Sequence, residues 1–125
     1  MARRSSSGAP RGLRVAELIH QELALLIRGE LRDPLPGMVT LTGVELTPDY
    51  AYATVYFTVL PDDAETVEAT IRALSRVAGF LRGQIGRRVR IHTTPELRFV
   101  LDRSTLRGLE LDRLISEANR RQADE

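Results

Sequence analysis

The sequence predicts an α+β domain in which helices cover one face of a three-stranded sheet. Apolar residues recur every three or four positions between residues 13 and 31 and again between 67 and 85, which is the periodicity of amphipathic helices. Between 38 and 59, and between 97 and 101, apolar residues follow the alternation of strands. The predicted order is helix, strand, strand, helix, helix, strand, and 125 residues suffice to bury the core of one such domain.

The composition excludes several classes of chemistry. The chain has no cysteine and only two histidines, His20 and His92, which lack the carboxylate or serine spacing of a catalytic base. Neither of the glycine-rich nucleotide motifs, GxGxxG and GxxxxGKS or its threonine form, occurs. We therefore expect no enzyme activity, no metal and no cofactor. The absence of cysteine favours a cytoplasmic protein. Because the basic N-terminus leads into an amphipathic rather than an apolar run, we expect no secretory signal and no membrane partner.

The N-terminal residues differ in composition from the first helix. Residues 1–11 combine arginines with serine, glycine and proline, and they predict a disordered basic arm ahead of a folded domain at residues 12–103. The first helix is expected from about Leu13 to Leu31, because proline disfavours helical geometry in the residue before it and Asp33-Pro34 follows. Its apolar stripe is Val15, Leu18, Ile19, Leu23, Leu26 and Ile27.

Two strands joined by a turn follow the first helix. One alternates from Met38 to Leu46, and the second alternates more strictly from Ala51 to Val59, while Thr47-Pro48-Asp49 between them has turn chemistry. One face of this hairpin can take helices, and the other carries hydroxyls with Tyr52 and Tyr56. These two rings could stack nucleic-acid bases, but outward tyrosine and threonine are also simply good strand formers.

The second half of the chain predicts a kinked helix and a third strand. A helix begins after Pro61-Asp62-Asp63, and Val77-Ala78-Gly79 is expected to divide it into two pieces, because the apolar register changes where glycine costs about 1 kcal/mol relative to alanine. Gly86 is expected to end the second piece, and the strand runs through Leu97, Phe99 and Leu101. Residues 104–125 predict a short C-terminal helix and a frayed tail.

A cluster of arginines supplies the candidate binding residues. The stretch between Glu68 and Glu96 contains no acidic residue, so its arginines should concentrate positive potential and attract a phosphate backbone. The alternative is a solvated helix face, which most charge runs form. The predicted RNA-binding residues are Arg72, Arg76, Arg82, Arg87, Arg88 and Arg90.

The chain from about Arg14 to Leu114 resembles ribosome-binding factor A, a family of bacterial assembly factors for the small ribosomal subunit. The resemblance rests on the order and spacing of short segments. These are Arg14-Val15, Glu22-Leu23-Ala24, Asp33-Pro34, Gly37-Met38-Val39-Thr40, Val44-Glu45-Leu46, Asp49 to Tyr56, Gly79-Phe80-Leu81-Arg82, and Pro95-Glu96-Leu97 with Phe99, Asp102 and Ser104.

The resemblance implies a fold and a function. The implied fold is a KH domain of the second topological type, in which a tight kink replaces the usual GxxG nucleic-acid loop. That kink corresponds to Val77-Ala78-Gly79, with valine where the family often has alanine. The implied function is that of a monomeric, non-catalytic factor that binds the free small (30S) subunit and its 16S rRNA. It would support late maturation and processing of precursor rRNA beside other assembly factors, and growth in the cold.

Two other functions stay open at this point. The Tyr/Thr face of the hairpin and the acidic run from Glu45 to Glu68 would suit a protein-interaction or dimerisation module. An enzyme such as an rRNA nuclease is disfavoured, because the sequence offers no metal-binding or acid-base cluster.

Overall fold

The computed structural model describes residues 11–104 and Ala118. These residues form five elements in the order α1 (Arg11–Gly29), β1 (Met38–Leu46), β2 (Tyr52–Leu60), α2 (Ala64–Arg88) and β3 (Glu96–Leu101). The predicted α+β class with a three-stranded sheet is confirmed. Apart from Arg11, the predicted basic arm lies outside the described residues. The predicted C-terminal helix and tail also lie outside them, apart from Ser104 and Ala118.

Helix α1 is amphipathic and packs against the sheet with one face. Its buried residues are spaced by one, three or four positions, as a single apolar helix face requires: Val15, Ala16, Ile19, Leu23 and Leu26. The helix begins and ends about two residues earlier than the sequence predicts. Leu18 was expected in the apolar stripe, but its side chain is 49 % exposed because it lies beside that face rather than within it.

Strand β2 is the central strand of the sheet, whose order is β1-β2-β3. β1 pairs with it antiparallel, with Leu46 opposite Ala53 and an irregularity between Leu41 and Gly43. β3 pairs with it parallel, with Leu97 opposite Ala53. A tight turn cannot join parallel strands, so α2 forms the crossover between β2 and β3.

The core lies between the two helices and one face of β2. Alternate residues of β2 are fully or almost fully buried: Ala53, Val55, Phe57 and Val59. They pack with apolar residues of both helices, including Ile19, Leu23, Leu74, Leu81 and Ile85. The intervening side chains of β2 point to the opposite face, which α1 and α2 leave open.

The turn between β1 and β2 has the chemistry expected of Thr47-Pro48-Asp49. The Asp49 carboxylate accepts hydrogen bonds from the Thr47 hydroxyl at 2.7 Å and from the Ala51 amide at 3.0 Å. These two bonds, the Thr47 bond foremost, lower the pKa of Asp49. Tyr50 has a φ of 62°, in the left-handed region, and its amide donates to the Thr47 carbonyl at 2.9 Å. The turn therefore includes Tyr50 in a left-handed backbone conformation that its amide hydrogen bond supports.

Helix α2 begins at a side-chain cap provided by Asp63. The Asp63 carboxylate accepts hydrogen bonds from the Thr66 amide at 3.1 Å and from the Thr66 hydroxyl at 2.7 Å. These bonds satisfy a donor that has no partner within the helix. Because they favour the ionised carboxylate, the Thr66 hydroxyl bond most strongly, they lower the pKa of Asp63.

The two helices predicted on either side of Val77-Ala78-Gly79 are one continuous helix. α2 runs through these residues and through Gly86, and it ends at Arg88, where the Val89 amide donates to the Ile85 carbonyl at 2.9 Å. The predicted division, and the predicted end at Gly86, are therefore wrong. Leu74 and Leu81 are buried on either side of Gly79. They lie on the same helix face and hold the helix against the sheet. A bend of the helix axis at Val77-Ala78-Gly79 stays a prediction.

The glycines of this fold meet very different surroundings. A Cβ atom at Gly37 would lie 2.7 Å from the Leu60 carbonyl oxygen and 2.7 Å from Val59 Cγ2, so a side chain there would collide with β2. A Cβ at Gly86 would lie 3.0 Å from Thr94 Oγ1. At Gly79 and Gly83 nothing lies within 4 Å of the Cβ position. Packing within the described residues therefore does not explain these two glycines.

We predict opposite effects of alanine at Gly79 and Gly37. Gly79→Ala should raise the free energy of unfolding by roughly 0.5 to 1 kcal/mol, because alanine removes the conformational entropy penalty of glycine in a helix. Gly37→Ala should lower it, because of the close contacts with β2. Urea unfolding followed by circular dichroism measures both. A loss of stability in Gly79→Ala would show that the helix needs glycine there, as the predicted bend implies.

We also predict that the contribution of Asp63 to stability depends on pH. Its pKa in the folded protein is below the ordinary value of 3.8, so the unfolded chain takes up the proton first as the pH falls. The stability contributed by the carboxylate is therefore present at neutral pH and is lost as the pH falls below about 4. Urea unfolding of wild type and Asp63→Asn, whose amide can still cap, should differ at neutral pH and converge in acid.

The adjacent Asp62 provides the control for this measurement. It is exposed and makes no hydrogen bond within the described part of the chain, so Asp62→Asn should show no comparable convergence. A pH-independent difference for Asp63→Asn, or the same profile in both variants, would contradict the capping role.

Candidate nucleic-acid interface

Three of the six candidate arginines lie together on the outer side of α2. Residues Arg72, Arg76, Gly79, Gly83 and Arg87 follow one another at spacings of three or four, opposite the buried Leu74, Leu81 and Ile85. We call these five residues the outer ridge. All five are exposed. The ridge begins one turn after Glu68, yet within the described residues no carboxylate lies within 4 Å of its arginines.

Arg82 lies to the side of the outer ridge and is held by the backbone. Its Nε and Nη2 atoms donate to the Thr94 carbonyl oxygen at 3.2 Å and 2.9 Å. This pair of bonds ties α2 to the segment that leads into β3. Arg82 therefore has a structural role, although its guanidinium group remains exposed and keeps further donors.

Arg88 lies toward α1 and has acidic neighbours that the local sequence does not show. Its Nη1 is 3.8 Å from Glu22 Oε1, and its Nη2 is 3.9 Å from Glu30 Oε1. The expectation of a cluster without neutralising acids therefore does not hold at Arg88. Both carboxylates come from α1 or its C-terminal end, far away in sequence, so only tertiary structure brings them to the cluster.

Arg90 lies beyond the end of α2, at a surface pocket of about 740 Å³. The other residues that line this pocket are Arg11, Tyr50, Ile91 and His92. Sequence alone predicts Arg11 to lie in the disordered arm and gives His92 no binding role. It therefore does not predict that either residue lies near Arg90. The lining residues contain no carboxylate, so the pocket extends the cationic surface beyond the helix.

Both tyrosines on the open face of the sheet already have a polar partner within the described residues. The guanidinium carbon of Arg98 lies 3.8 Å from the ring centroid of Tyr52, so that ring is already stacked on a cation. Tyr56 donates its hydroxyl proton to Glu45 Oε1 at 2.7 Å, and this bond raises the pKa of Tyr56. The face also carries Glu96 and, at its edge, Asp102, which accepts from the Thr42 hydroxyl at 2.6 Å. These carboxylates would repel phosphate.

Neither histidine contacts a carboxylate through a hydrogen bond or ion pair within the described residues. His20 Nε2 lies 3.1 Å from the Leu41 carbonyl oxygen, between α1 and β1. Among residues 11–104, no cluster of three or more histidine, aspartate or glutamate side chains is arranged to hold a metal ion. Neither α1 nor α2 is long and apolar enough to span a membrane.

Comparisons with known proteins agree on one family. The family model of ribosome-binding factor A matches residues 11–115. The ribosome-binding factor A of Dechloromonas aromatica is 54 % identical over 112 residues, which cover 90 % of this chain and 89 % of that protein. The same factor from Nitrosomonas europaea is 52 % identical over 108 residues, or 86 % and 92 % of the two chains.

A crystal structure and a homology model fitted into a cryo-EM map share the fold. The crystal structure of ribosome-binding factor A from Thermus thermophilus superposes with a TM-score of 0.64 and 28 % identity, covering 74 % of this chain and 97 % of that one. A Thermus thermophilus homology model fitted into a cryo-EM map of a 30S–RbfA complex gives a TM-score of 0.59, with 28 % identity over 74 % and 96 % of the chains. The KH-like α+β fold implied by the resemblance is thereby confirmed. The chain belongs to the ribosome-binding factor A family.

Proposed function

We propose that this protein is a non-catalytic assembly factor that binds the small ribosomal subunit in the cytoplasm, with the outer ridge of α2 against rRNA phosphates. The observation that carries the proposal is the exposure of Arg72, Arg76 and Arg87 on one side of α2, with no carboxylate partner among the described residues. Guanidinium groups bind phosphate oxygens through paired donors, and a line of them matches a backbone of regularly spaced phosphates.

The relatives support the small subunit as the partner. They carry the name ribosome-binding factor A, and one structure with the same fold was fitted into the map of a 30S complex. The family resemblance is the basis for three further roles in this proposal: late maturation of the subunit, processing of precursor rRNA and growth in the cold. A binding role without catalysis fits the outer ridge, whose charged side chains within the described residues are all arginines.

The six arginines contribute differently in this proposal. Arg87 and Arg90 lie at the end of α2, exposed and without ion pairs in the described part of the chain, and they bind phosphate directly. Arg82 mainly holds the Thr94 segment against α2, which positions Arg90. Arg88 binds phosphate only in competition with Glu22 and Glu30.

A protein partner on the open face of the sheet is a second candidate function. The observation that favours it is the acidic, hydroxyl-rich character of this face, where Tyr56, Glu45, Thr42 and Asp102 are already linked in pairs by hydrogen bonds. Such a face suits a basic protein surface better than RNA. A complex that survives nuclease treatment and is lost in Glu45→Arg would support this candidate.

We predict that the outer ridge carries the salt dependence of subunit binding. The triple variant Arg72→Gln, Arg76→Gln and Arg87→Gln should bind purified small subunits more weakly. The slope of log affinity against log salt should be shallower by roughly two units, because each lost phosphate contact removes about 0.7 to 0.9. Co-sedimentation at several salt concentrations measures both quantities.

A matched triple variant controls for net charge. Arg14→Gln, Arg28→Gln and Arg98→Gln remove the same charge from exposed positions outside the cluster. Equal losses in both triple variants, with folding intact, would mean that subunit binding does not use the ridge.

We predict that adjacent arginines at the end of α2 differ in importance. Arg87→Gln should weaken subunit binding more than Arg88→Gln, because Arg88 is partly neutralised by Glu22 and Glu30. The double variant Glu22→Gln and Glu30→Gln should tighten binding, since it frees Arg88 for phosphate. The same co-sedimentation assay compares the variants, and equal effects of Arg87→Gln and Arg88→Gln would contradict this difference.

A further inference from the structure

Phe80 is an exposed aromatic ring beside the outer ridge. Its side chain is 46 % exposed, although the same helix buries Leu81 completely one residue later. On the helix surface Phe80 lies next to Arg76, four residues before it, and it is followed by Gln84 and Arg87. About half of the Phe80 surface is covered by the protein, and the other half faces solvent.

The surroundings of Phe80 leave its ring accessible. The residue before it, Gly79, and the residue one turn after it, Gly83, have no side chains, and apart from the helix's own neighbouring atoms no described residue lies within 4 Å of the position of either Cβ. Among the described residues, the one cation–π contact joins Arg98 and Tyr52, which lie on the open face of the sheet and not on α2. No cation of the described residues therefore lies over the Phe80 ring, and the two glycines place no side chain beside it.

We propose that Phe80 stacks on a base of single-stranded RNA whose phosphates are bound by Arg76 and Arg87. This inference rests on the proposed function and adds a contact to the base, whereas the arginines contact only the phosphates. Stacking on an aromatic side chain binds any base, because every base has a π-face. In single-stranded RNA the bases can splay from the backbone, so a strand that follows the arginines can place one base on the ring.

The location distinguishes Phe80 from the two tyrosines of the sheet. Tyr52 is occupied by Arg98, Tyr56 is hydrogen-bonded to Glu45, and both lie on the acidic open face. Phe80 lies on the cationic side. A protein partner could also cover an exposed phenylalanine, but the flanking arginines favour an anionic ligand, and the experiment separates the two.

The absence of tryptophan from the sequence provides a direct test. The full chain carrying Phe80→Trp has one tryptophan, and its fluorescence should be quenched on titration with octauridylate or octaadenylate at low salt, because stacked bases quench indole. Polyphosphate, a polyanion without bases, should not quench it. Leu25→Trp, at an exposed leucine of α1, is the control and should not respond to RNA.

Binding measurements complete the test. Phe80→Leu should weaken binding of the octanucleotides and of small subunits by at least about fivefold, whereas Phe80→Tyr and Phe80→Trp should bind within about twofold of wild type. Equal binding by Phe80→Leu, or equal quenching by polyphosphate, overturns the stacking proposal. If in addition the ridge triple variant binds like its control, the proposed function fails too. If the ridge variant is weakened, only the stacking proposal fails.

Discussion

The structure depends on the burial of alternate residues of β2. A strand exposes successive side chains on opposite faces, so Ala53, Val55, Phe57 and Val59 can be buried together only if one face of the sheet is covered along its full length. Both helices are needed to cover this face. Because α2 must turn its apolar side toward β2, its outer ridge must face away from the sheet. A shift of β2 by one residue would expose this core and bury the tyrosines. The position of the arginines thus follows from the packing of a strand to which they do not belong.

Some of this architecture could be predicted from local sequence, and the reasons for failure elsewhere are physical. The outward position of Arg72 and Arg76 follows from helical periodicity, because both lie nearly opposite Leu74 in the apolar stripe of the same helix. The division of α2 was mispredicted because the penalty of glycine, about 1 kcal/mol, was weighed without tertiary packing. Burial of side chains such as Leu74, Leu81 and Ile85 contributes about 1.5 to 3 kcal/mol each and outweighs it.

Contacts between distant segments account for the remaining differences in the candidate site. The sequence shows six arginines without acids among them, but α1 brings Glu22 and Glu30 to Arg88. Likewise the alternation of β2 placed Tyr52 and Tyr56 correctly on the open face, yet their partners Arg98 and Glu45 lie on neighbouring strands. The register in which neighbouring strands pair decides such contacts, and it cannot be derived from the local pattern of a single sequence.

The two surfaces of this protein also differ in sign, and this has a kinetic consequence. The helices place arginines on one side of the domain, while Glu45, Glu96 and Asp102 lie at the open face of the sheet on the other. The net charge of +1 therefore does not show that the outer ridge is cationic, while the open face carries these carboxylates together with Arg98. In the field of a polyanion such a molecule experiences a torque that turns its cationic side forward before contact. The arrangement of charge can thus raise the fraction of diffusional encounters that are productive, even where the net attraction is small.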